Sequence, residues 1–377
     1  MSLYQSKPVR VYLSLALASL LLTTAAACSG EGGGGSLRSG ENSGGGNASG
    51  GAVSLQGSGS SFANPLMQKW VSEYGKINPN ARINYEPAGS GAGVRSFTDR
   101  TVDFGATDVF MNDDEISKAG GGVINIPALL GAVVLTYNLS GVTEPLRFSP
   151  DVIADIFLGK IKRWDDARIK ADNPNAALPA ADITVVHRSD SSGTSAVFTD
   201  YLSKVSPEWK EKVGAGKQPT FPVGQGGKGN DGVSGQIKQQ PNTIGYVEQI
   251  YAVQNKMPVA LIKNRAGNFI SPTPEAVTAS ATESVANSPD DLRVSLTDST
   301  GANAYPLSSY TYILVHQEQK DSVRGKLLVD FLWWALHDGA NFGKDLQYAP
   351  LPAPLVQRVE AKLNSITSGG KNLRAAS

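Results

Sequence analysis

Short strands that lead into Gly- and Ser-rich turns and then into helices are the recurring pattern of this chain. Apolar or alternating runs over Val53–Leu55, Arg82–Glu86 and Ile183–Val186 are typical of strands. Each run precedes a turn of small polar residues, and apolar positions at helical spacing follow, as with Leu66 and Trp70. Helix N-termini carry partial positive charge and N–H groups without helical partners, so three such units predict a shared anion site.

Further apolar runs predict the rest of an α/β framework. Val123–Ile126 and Leu129–Tyr137 carry no charge and predict two buried strands, the second long enough to pass from one domain into another. Strands are also predicted at Val102–Ala106, Ile244–Val247 and Tyr310–Val315. Helices are predicted from Val94 to Arg100, from Asp151 to Gly159, from Trp164 to Ile169, from Val233 onward and from about Leu327 to Leu336.

The stretch His187–Ser195 carries the residues best suited to an oxyanion. Arg188 supplies a permanently charged planar fork, and Asp190 is placed to accept from that guanidinium and hold its plane. The turn supplies further N–H and hydroxyl donors from Ser192, Gly193 and Thr194. An ordinary helix N-cap with a surface ion pair has the same sequence pattern, so this stretch alone leaves both interpretations open.

Asp108 stands at the C-terminal end of the predicted strand Val102–Ala106. In open α/β sheets, ligands bind outside the carboxyl ends of the strands, so this carboxylate is a candidate ligand residue. The alternative is that Asp108 caps the turn at Asn112–Asp114, and this stretch does not separate the two interpretations.

The first residues are predicted to form an export signal rather than part of the fold. An apolar stretch over Val11–Leu22 is short for a membrane span, and small residues lead from it to Cys28, the only cysteine of the chain. Residues 1–27 are therefore predicted to be a signal peptide, and the pattern resembles a bacterial lipobox, whose cysteine is acylated. Ala25 departs from the leucine usual at its position, and plain cleavage with Cys28 incidental is the alternative.

Residues 28–52 begin with the cysteine and consist mostly of Gly, Ser, Asn and Glu. This composition predicts a flexible linker, anchored by the lipid on Cys28.

The length of residues 53–377 suits two domains better than one. The chain has 34 Lys and Arg against 34 Asp and Glu, so its formal net charge is zero. Proteins that coat nucleic acid usually carry a basic excess, so no nucleic-acid partner is expected.

Sequence signatures of enzymes and metal proteins are scarce. The three histidines lack metal-ligand spacing, and the sequence has no cysteine cluster and no Gly-x-Ser-x-Gly motif. The predicted glycine-rich loop 224–232 contains Lys228, but Pro222 and Gly229 stand where a nucleotide-binding P-loop needs glycine and a hydroxyl residue. No catalytic residue, no metal and no cofactor are therefore expected.

Five stretches in a fixed order carry a resemblance to a known family. They are Gly57–Phe62, Ala88–Val94, Val102–Asp108, Arg188–Ser195 and Gly226–Val233. Taken together they closely resemble the periplasmic phosphate-binding protein family, the substrate-binding components of the phosphate-specific ABC importer. The resemblance covers the chain from about residue 53 to its C-terminus.

The resemblance implies an α/β fold of the periplasmic binding-protein type with two lobes, each a mixed sheet flanked by helices, joined by a two-segment hinge. The first lobe would take residues 53–132 with 301–377, and the second residues 133–300. By motif position, the resemblance implies phosphate held by Ser61, Phe62, Ser90, Asp108, Arg188, Ser192, Gly193 and Thr194, with Asp190 steadying Arg188. Ser61 replaces the family's usual threonine, and Ser191 a usual glycine.

The function that the resemblance implies is binding of inorganic phosphate outside the membrane and its delivery to the permease and ATPase subunits of a phosphate ABC importer. The protein would act as a monomer on the outer face of the cell membrane, held there by the lipid on Cys28. Asp108 would select phosphate, because hydrogen phosphate can donate a proton to a carboxylate and sulfate at neutral pH cannot. Two alternatives stay open: an exported phosphoester hydrolase with Ser61 or Ser192 as nucleophile, and a receptor that senses phosphate.

Overall fold

The computed structural model describes residues 51–142 and 144–374. The predicted signal peptide, the acylation of Cys28 and nearly all of the linker 28–52 lie outside the described residues. Within the described ranges, no helix has both the length and the apolar character needed to cross a bilayer.

The elements of these residues alternate along the chain much as the pattern predicts. The strands are β1 (Val53–Gly59), β2 (Ala81–Glu86), β3 (Phe104–Thr107), β4 (Val123–Asn138), β5 (Arg147–Phe148), β6 (Thr184–Arg188), β7 (Gln225–Gly227), β8 (Thr243–Glu248), β9 (Leu261–Lys263), β10 (Phe269–Ile270), β11 (Ser308–His316), β12 (Thr367–Ser368) and β13 (Lys371–Asn372). The α-helices are α1 (Asn64–Ile77), α2 (Ser90–Thr98), α3 (Asp113–Lys118), α4 (Pro150–Phe157), α5 (Ala167–Asp172), α6 (Gly193–Val205), α7 (Pro207–Lys212), α8 (Gly229–Gln239), α9 (Gln249–Gln254), α10 (Pro274–Val285), α11 (Ser322–Leu336) and α12 (Ala353–Asn364).

Eight of the strands form one hydrogen-bonded sheet in the order β2-β1-β3-β11-β4-β8-β6-β7. β1 pairs in parallel with β2 and β3, and β6 pairs in parallel with β7 and β8. β11 runs antiparallel to β3 and β4, and β4 runs antiparallel to β8. The sheet is therefore mixed on both sides of β4, which confirms the predicted α/β class.

The long strand β4 belongs to two half-sheets. Its first part, Val123–Ala132, pairs with β11, and its second part, Val133–Asn138, pairs with β8. The two strands predicted here are one continuous strand, and the break predicted between them is wrong. Pro127 lies at that point and has no N–H to donate. Thr311 pairs with Leu129 and Tyr312 with Pro127, so Ala128 is an extra residue that forms a bulge in β4, and the ladder continues on both sides of it.

Some element boundaries differ from the predicted ones. α2 begins at Ser90 and α8 at Gly229, both earlier than predicted, because turns built from Gly, Ser and Asn carry no apolar period to detect. β7 also occupies part of the predicted loop. α5 begins at Ala167, later than predicted, because the Asp166 side chain caps it by accepting the Arg168 N–H.

Hydrogen bonds and packing connect the chain near residue 300 to the middle of β4. α10 packs against β4 and β11, and its Ser280 hydroxyl donates to the Tyr305 carbonyl at 2.9 Å. The Tyr305 hydroxyl in turn donates to the Val133 carbonyl at 3.1 Å. The contact lies where β4 changes partners, but the lobe boundaries themselves stay a prediction.

Gly59, at the end of β1, is a position that no side chain fits. Its φ is +145°, and a Cβ there would lie 2.0 Å from the Ala106 carbonyl oxygen. We expect Gly59→Ala to lower the free energy of unfolding by at least about 2 kcal/mol, since both the backbone angle and the contact with β3 oppose it. Urea unfolding followed by circular dichroism measures the change.

The matched control is Gly235→Ala in the middle of α8. A Cβ at Gly235 meets nothing within 4 Å, and its helical backbone favours alanine over glycine. This variant should be unchanged or more stable by about 0.5–1 kcal/mol. Equal stabilities of the two variants would contradict the argument for Gly59.

Candidate anion-binding site

Three turns between a strand and a helix meet at one place in the fold. The first joins β1 to α1 through Ser60–Phe62, the second joins β2 to α2, and the third joins β6 to α6. Asp108 follows β3, and Asn230 lies in the first turn of α8. All the residues predicted from the sequence to bind the ligand therefore stand at the end of a strand or the start of a helix.

Close contacts show that these turns converge. A Cβ on Gly193 would lie 2.3 Å from the Ser90 hydroxyl oxygen and 2.4 Å from Asp108 Oδ2, so the start of α6 touches both groups. The Gly91 N–H donates to the Ser191 carbonyl at 2.9 Å, which joins the first turn of α2 to the turn before α6. The structure thus brings the predicted residues from separate parts of the chain together.

The meeting point is buried. Apart from Asp190, the residues of the predicted site have almost no exposed surface, and the exposed fraction is 2% for Asp108 and 4% for Arg188. The other buried members are Ser61, Phe62, Ser90, Ser192, Gly193 and Thr194. Electrostatic interactions are stronger there than at the surface, because little water is present to screen them.

Arg188 and Asp190 form an ion pair inside this region. Arg188 Nε lies 2.8 Å from Asp190 Oδ1 and Nη2 lies 2.5 Å from Oδ2, so the pair is bidentate. The Arg188 side chain is 1% exposed and that of Asp190 is 15% exposed, so the alternative of a surface ion pair is wrong. Burial alone raises the pKa of Asp190, but hydrogen bonds from Arg188 and its charge outweigh burial and hold the pKa below its usual value.

The helix-cap half of that alternative is confirmed. The Ser192 hydroxyl oxygen accepts the Ser195 N–H at 3.0 Å and so caps α6. Capping and a place in the anion site are compatible, because a hydroxyl that accepts one N–H keeps its own proton to donate.

Asp108 is held by hydroxyl groups from three elements. The hydroxyls of Ser60 and Thr311 donate to Oδ1 at 2.5 and 2.8 Å, and that of Ser90 lies 3.3 Å from Oδ2. Burial raises the pKa of Asp108 to about 6, although these hydroxyls and the Arg188 charge lower it in part. Asp108 does not cap the following helix, since Asn112 caps α3 with Glu115.

Backbone N–H groups complete the set of donors. In residues 51–142 and 144–374, no acceptor lies within hydrogen-bond distance of the backbone N–H of Phe62, Ser90, Gly193 or Thr194. A buried N–H without an acceptor is unfavourable, and four of them at one place favour an anion there.

Sequence reasoning missed several residues that shape the site. Ser60 and Thr311 saturate one oxygen of Asp108, and Asn230 donates to the Ser61 and Thr194 hydroxyls. Ser60 lies in the stretch Gly57–Phe62 and Asn230 in Gly226–Val233, but no feature of the sequence distinguishes them from their neighbours as site residues. Thr311 lies in a buried strand among other hydroxyl residues, Ser308, Ser309, Tyr310 and Tyr312, and nothing in the sequence distinguishes it from them.

The donor set does not suit a cation. Across the described ranges, no group of three or more His, Cys, Asp or Glu residues could hold a metal ion. The expectation that the site needs neither metal nor cofactor stays a prediction.

The chain matches the sequence model of a known protein superfamily. The model of the PBP superfamily domain matches residues 45–338, which is most of the chain. The match includes all the strands of the large sheet and all the residues of the candidate site.

Curated relatives narrow the class. A phosphate-binding protein PstS of Xylella fastidiosa is 41% identical over 312 residues, covering 82% of this chain and 85% of the relative. One of Pasteurella multocida is 40% identical over 325 residues, covering 85% and 94%. One of Methanocaldococcus jannaschii is 41% identical over 322 residues, covering 80% and 82%. The chain therefore belongs to the PBP superfamily and, within it, to the family of phosphate-binding proteins named PstS.

Solved structures agree on the fold. A high-affinity periplasmic phosphate-binding protein bound with phosphate has a TM-score of 0.66 at 20% identity, over 84% of this chain and 97% of that one. A phosphate-binding protein from Stenotrophomonas maltophilia has a TM-score of 0.64 at 18% identity, over 85% and 97%. Similarity at this level of identity shows the fold, and it confirms the predicted two-lobed binding-protein type.

The raised pKa of Asp108 predicts how stability depends on pH without ligand. The folded protein holds the Asp108 proton up to a pKa of about 6, against about 4 when unfolded, so this group lowers stability as the pH rises between those values. Asp108→Asn keeps the shape and cannot ionise. We expect its free energy of unfolding, relative to the parent protein, to rise by up to about 3 kcal/mol from pH 4 to pH 7.5.

Urea unfolding of both proteins in phosphate-free buffers measures this difference, in which the titrating groups that do not interact with Asp108 cancel. A difference that stays flat across the range would show that Asp108 titrates at an ordinary pKa.

Proposed function

We propose that this protein binds inorganic phosphate outside the membrane and delivers it to a phosphate ABC importer. The observation that carries the proposal is a buried cluster that combines one guanidinium, several hydroxyls and four N–H groups with the carboxylate of Asp108, while a second carboxylate, that of Asp190, is paired with the guanidinium. The similarity to relatives that carry the name of a phosphate-binding protein supports it.

In the proposed complex, donors surround three sides of the ligand. Arg188 supplies charge, and N–H or hydroxyl donors come from Ser61, Phe62, Ser90, Ser192, Gly193 and Thr194. Asp190 binds Arg188 through both carboxylate oxygens and so keeps the guanidinium in place. Charge-assisted hydrogen bonds of this kind are about twice as strong as neutral ones.

Asp108 supplies the acceptor that selects phosphate. Ser60 and Thr311 already donate to Oδ1, while Oδ2 has only the longer contact with the Ser90 hydroxyl at 3.3 Å and so keeps a lone pair for the ligand. Hydrogen phosphate places its proton on that side and donates to Oδ2, while sulfate would set a bare oxygen against a carboxylate. The lost hydrogen bond and the repulsion together favour phosphate by more than about a thousandfold.

Two lobes close on the ligand in this proposal. Residues 53–132 with 301–377 form one lobe and residues 133–300 the other, and the change of partner along β4 at Ala132 and Val133 supports that division. Contacts that join the parts are the Tyr251 hydroxyl to the Ser61 carbonyl at 2.7 Å and the ion pair of Lys217 with Glu115 at 2.6 Å. Hinge closure of this kind encloses a ligand between the lobes.

Hydrolysis is not supported by the geometry of the candidate nucleophiles. Within the part of the chain that the structure describes, the Ser61 hydroxyl oxygen faces the N–H and the side-chain amide of Asn230, and both groups are donors. Ser192 accepts the Ser195 N–H. A nucleophilic serine needs a base that accepts its proton, so the protein acts as a receptor and not as an enzyme.

The site predicts a clear order of affinities in isothermal titration calorimetry. Phosphate should bind tightly at pH 7.5, and a large excess of sulfate should not displace it. Arg188→Lys should weaken phosphate binding by at least about a hundredfold, because an ammonium cannot hold Asp190 and the ligand as the planar fork does. Asp108→Asn should reduce the preference for phosphate over sulfate.

A matched control is Arg95→Lys on the exposed face of α2, which should bind phosphate as the parent protein does. Displacement of phosphate by sulfate, or normal binding by Arg188→Lys, would refute the proposed site. Steady release of phosphate from an ester, lost in Ser192→Ala, would favour the hydrolase.

The proposed place of action is the outer face of the cell membrane, with a lipid on Cys28 and the linker 28–52 as tether. The mature protein from its native host should carry a mass increase on an N-terminal Cys28 and partition with membranes. Cys28→Ser should be recovered unattached and should bind phosphate normally, because the site lies elsewhere. An unmodified Cys28 in the mature protein would mean ordinary signal cleavage.

Delivery requires a monomer that meets the permease and ATPase subunits of the importer, and a sensing role would require other partners. Crosslinking in native membranes followed by mass spectrometry distinguishes import from sensing. Crosslinked peptides of the permease would support import. Crosslinked peptides of a signalling protein, without any from the permease, would support sensing.

A further inference from the structure

Asn230 is a buried residue that touches hydroxyls contributed by both half-sheets. It lies in the first turn of α8 and has no exposed surface. Its Nδ2 lies 3.1 Å from the Ser61 hydroxyl oxygen and 3.2 Å from the Thr194 hydroxyl oxygen. Ser61 precedes α1 and Thr194 lies in α6, so one amide group bridges two of the helix starts that form the site.

The orientation of this amide is fixed by a backbone donor. Asn230 Oδ1 lies 3.0 Å from the backbone nitrogen of Glu248, the last residue of β8. A backbone N–H can only donate, so the atom that it faces must be the amide oxygen. The NH2 group must therefore face the two hydroxyls.

The hydroxyls of Ser61 and Thr194 can act toward a ligand only as hydrogen-bond donors. The Thr194 oxygen accepts from Arg188 Nη1 at 3.2 Å and from Asn230 Nδ2 at 3.2 Å. The Ser61 oxygen accepts from the backbone N–H of Asn230 at 3.4 Å and from its Nδ2 at 3.1 Å. A hydroxyl has two lone pairs and one proton, so with both lone pairs occupied each oxygen keeps only its proton to offer.

We propose that Asn230 is a positioning residue that holds the Ser61 and Thr194 hydroxyls as donors to the bound anion. The inference rests on the proposed phosphate site. It explains why two of the hydroxyls in that site donate to the anion and do not accept from it. Without Asn230 each hydroxyl could rotate and present a lone pair to an anionic oxygen, which repels it. Asn230 acts through these hydroxyls and does not itself touch the ligand.

A double-mutant cycle tests this role by equilibrium dialysis with radiolabelled phosphate. Asn230→Ala in the parent protein should weaken binding by about 10- to 100-fold, the range for losing well-oriented hydrogen bonds to an anion. In a Ser61→Ala, Thr194→Val background, the same substitution should weaken binding less than about threefold, since no hydroxyl is left to orient. A packing role would give the same loss in both backgrounds, and that result would overturn the proposal.

Controls separate folding from function. Asn264→Ala removes another buried asparagine, one that donates to carbonyls at 301, 302 and 304, and it should leave phosphate affinity unchanged. If Asn230→Ala does not fold, Asn230→Asp keeps the shape but replaces the donor by an acceptor, and it should bind at least as weakly as expected for alanine. Binding by Asn230→Asp at the parent level would also overturn the proposal. A parent protein that binds no phosphate would instead refute the proposed function.

Discussion

The buried ion pair between Arg188 and Asp190 is the contact on which the rest of the site depends. A guanidinium with a 1% exposed side chain is tolerated in a protein interior only when it is paired and hydrogen-bonded. Asp190 meets that need, and its Oδ1 also accepts the Gly229 N–H at 3.0 Å, which ties the start of α8 to the end of β6. One pair of charges therefore fixes the relative positions of β6, α6 and α8.

The arrangement of the sheet explains why the other groups reach this pair. β1 and β3 end side by side because they are parallel neighbours, so Ser60 and Asp108 emerge at the same edge. β6 belongs to the other half-sheet, and β4 joins the halves by pairing with β11 along one part and β8 along the other. A short strand could not do this, so the length of β4 is a condition for a site shared between the halves.

In the proposed site, selectivity would follow from the balance of donors and acceptors. Almost every polar group around the site donates, through the guanidinium, the hydroxyls or the unpaired N–H groups. Asp108 differs because Ser60 and Thr311 saturate one of its oxygens, whereas the other has only the longer contact with the Ser90 hydroxyl and keeps a lone pair. An anion that fits must offer acceptors on most sides and a proton on one side, and hydrogen phosphate has that pattern.

The sequence predicts much of the local structure because local rules act within a few residues. The strand–turn–helix units, the placing of Arg188 and Asp190 two residues apart and the position of Asp108 after a strand could all be read from neighbours in the chain. The predicted starts of the helices that begin with glycine and serine are too late in the chain, since these small residues give no apolar period. The break predicted in β4 lies at Pro127 and Ala128, where the strand itself has a bulge and then continues along the same partner.

What the sequence by itself determined was the set of groups that can bind an anion and the turns that present them. The tertiary structure alone decided which of them are buried together and which hydrogens point inward. Thr311 reaches Asp108 across 203 residues of chain, and Asn230 reaches Ser61 across 169. Such contacts have no local pattern, because they arise when distant segments pack against each other, and their energies depend on burial that forms only in the folded state.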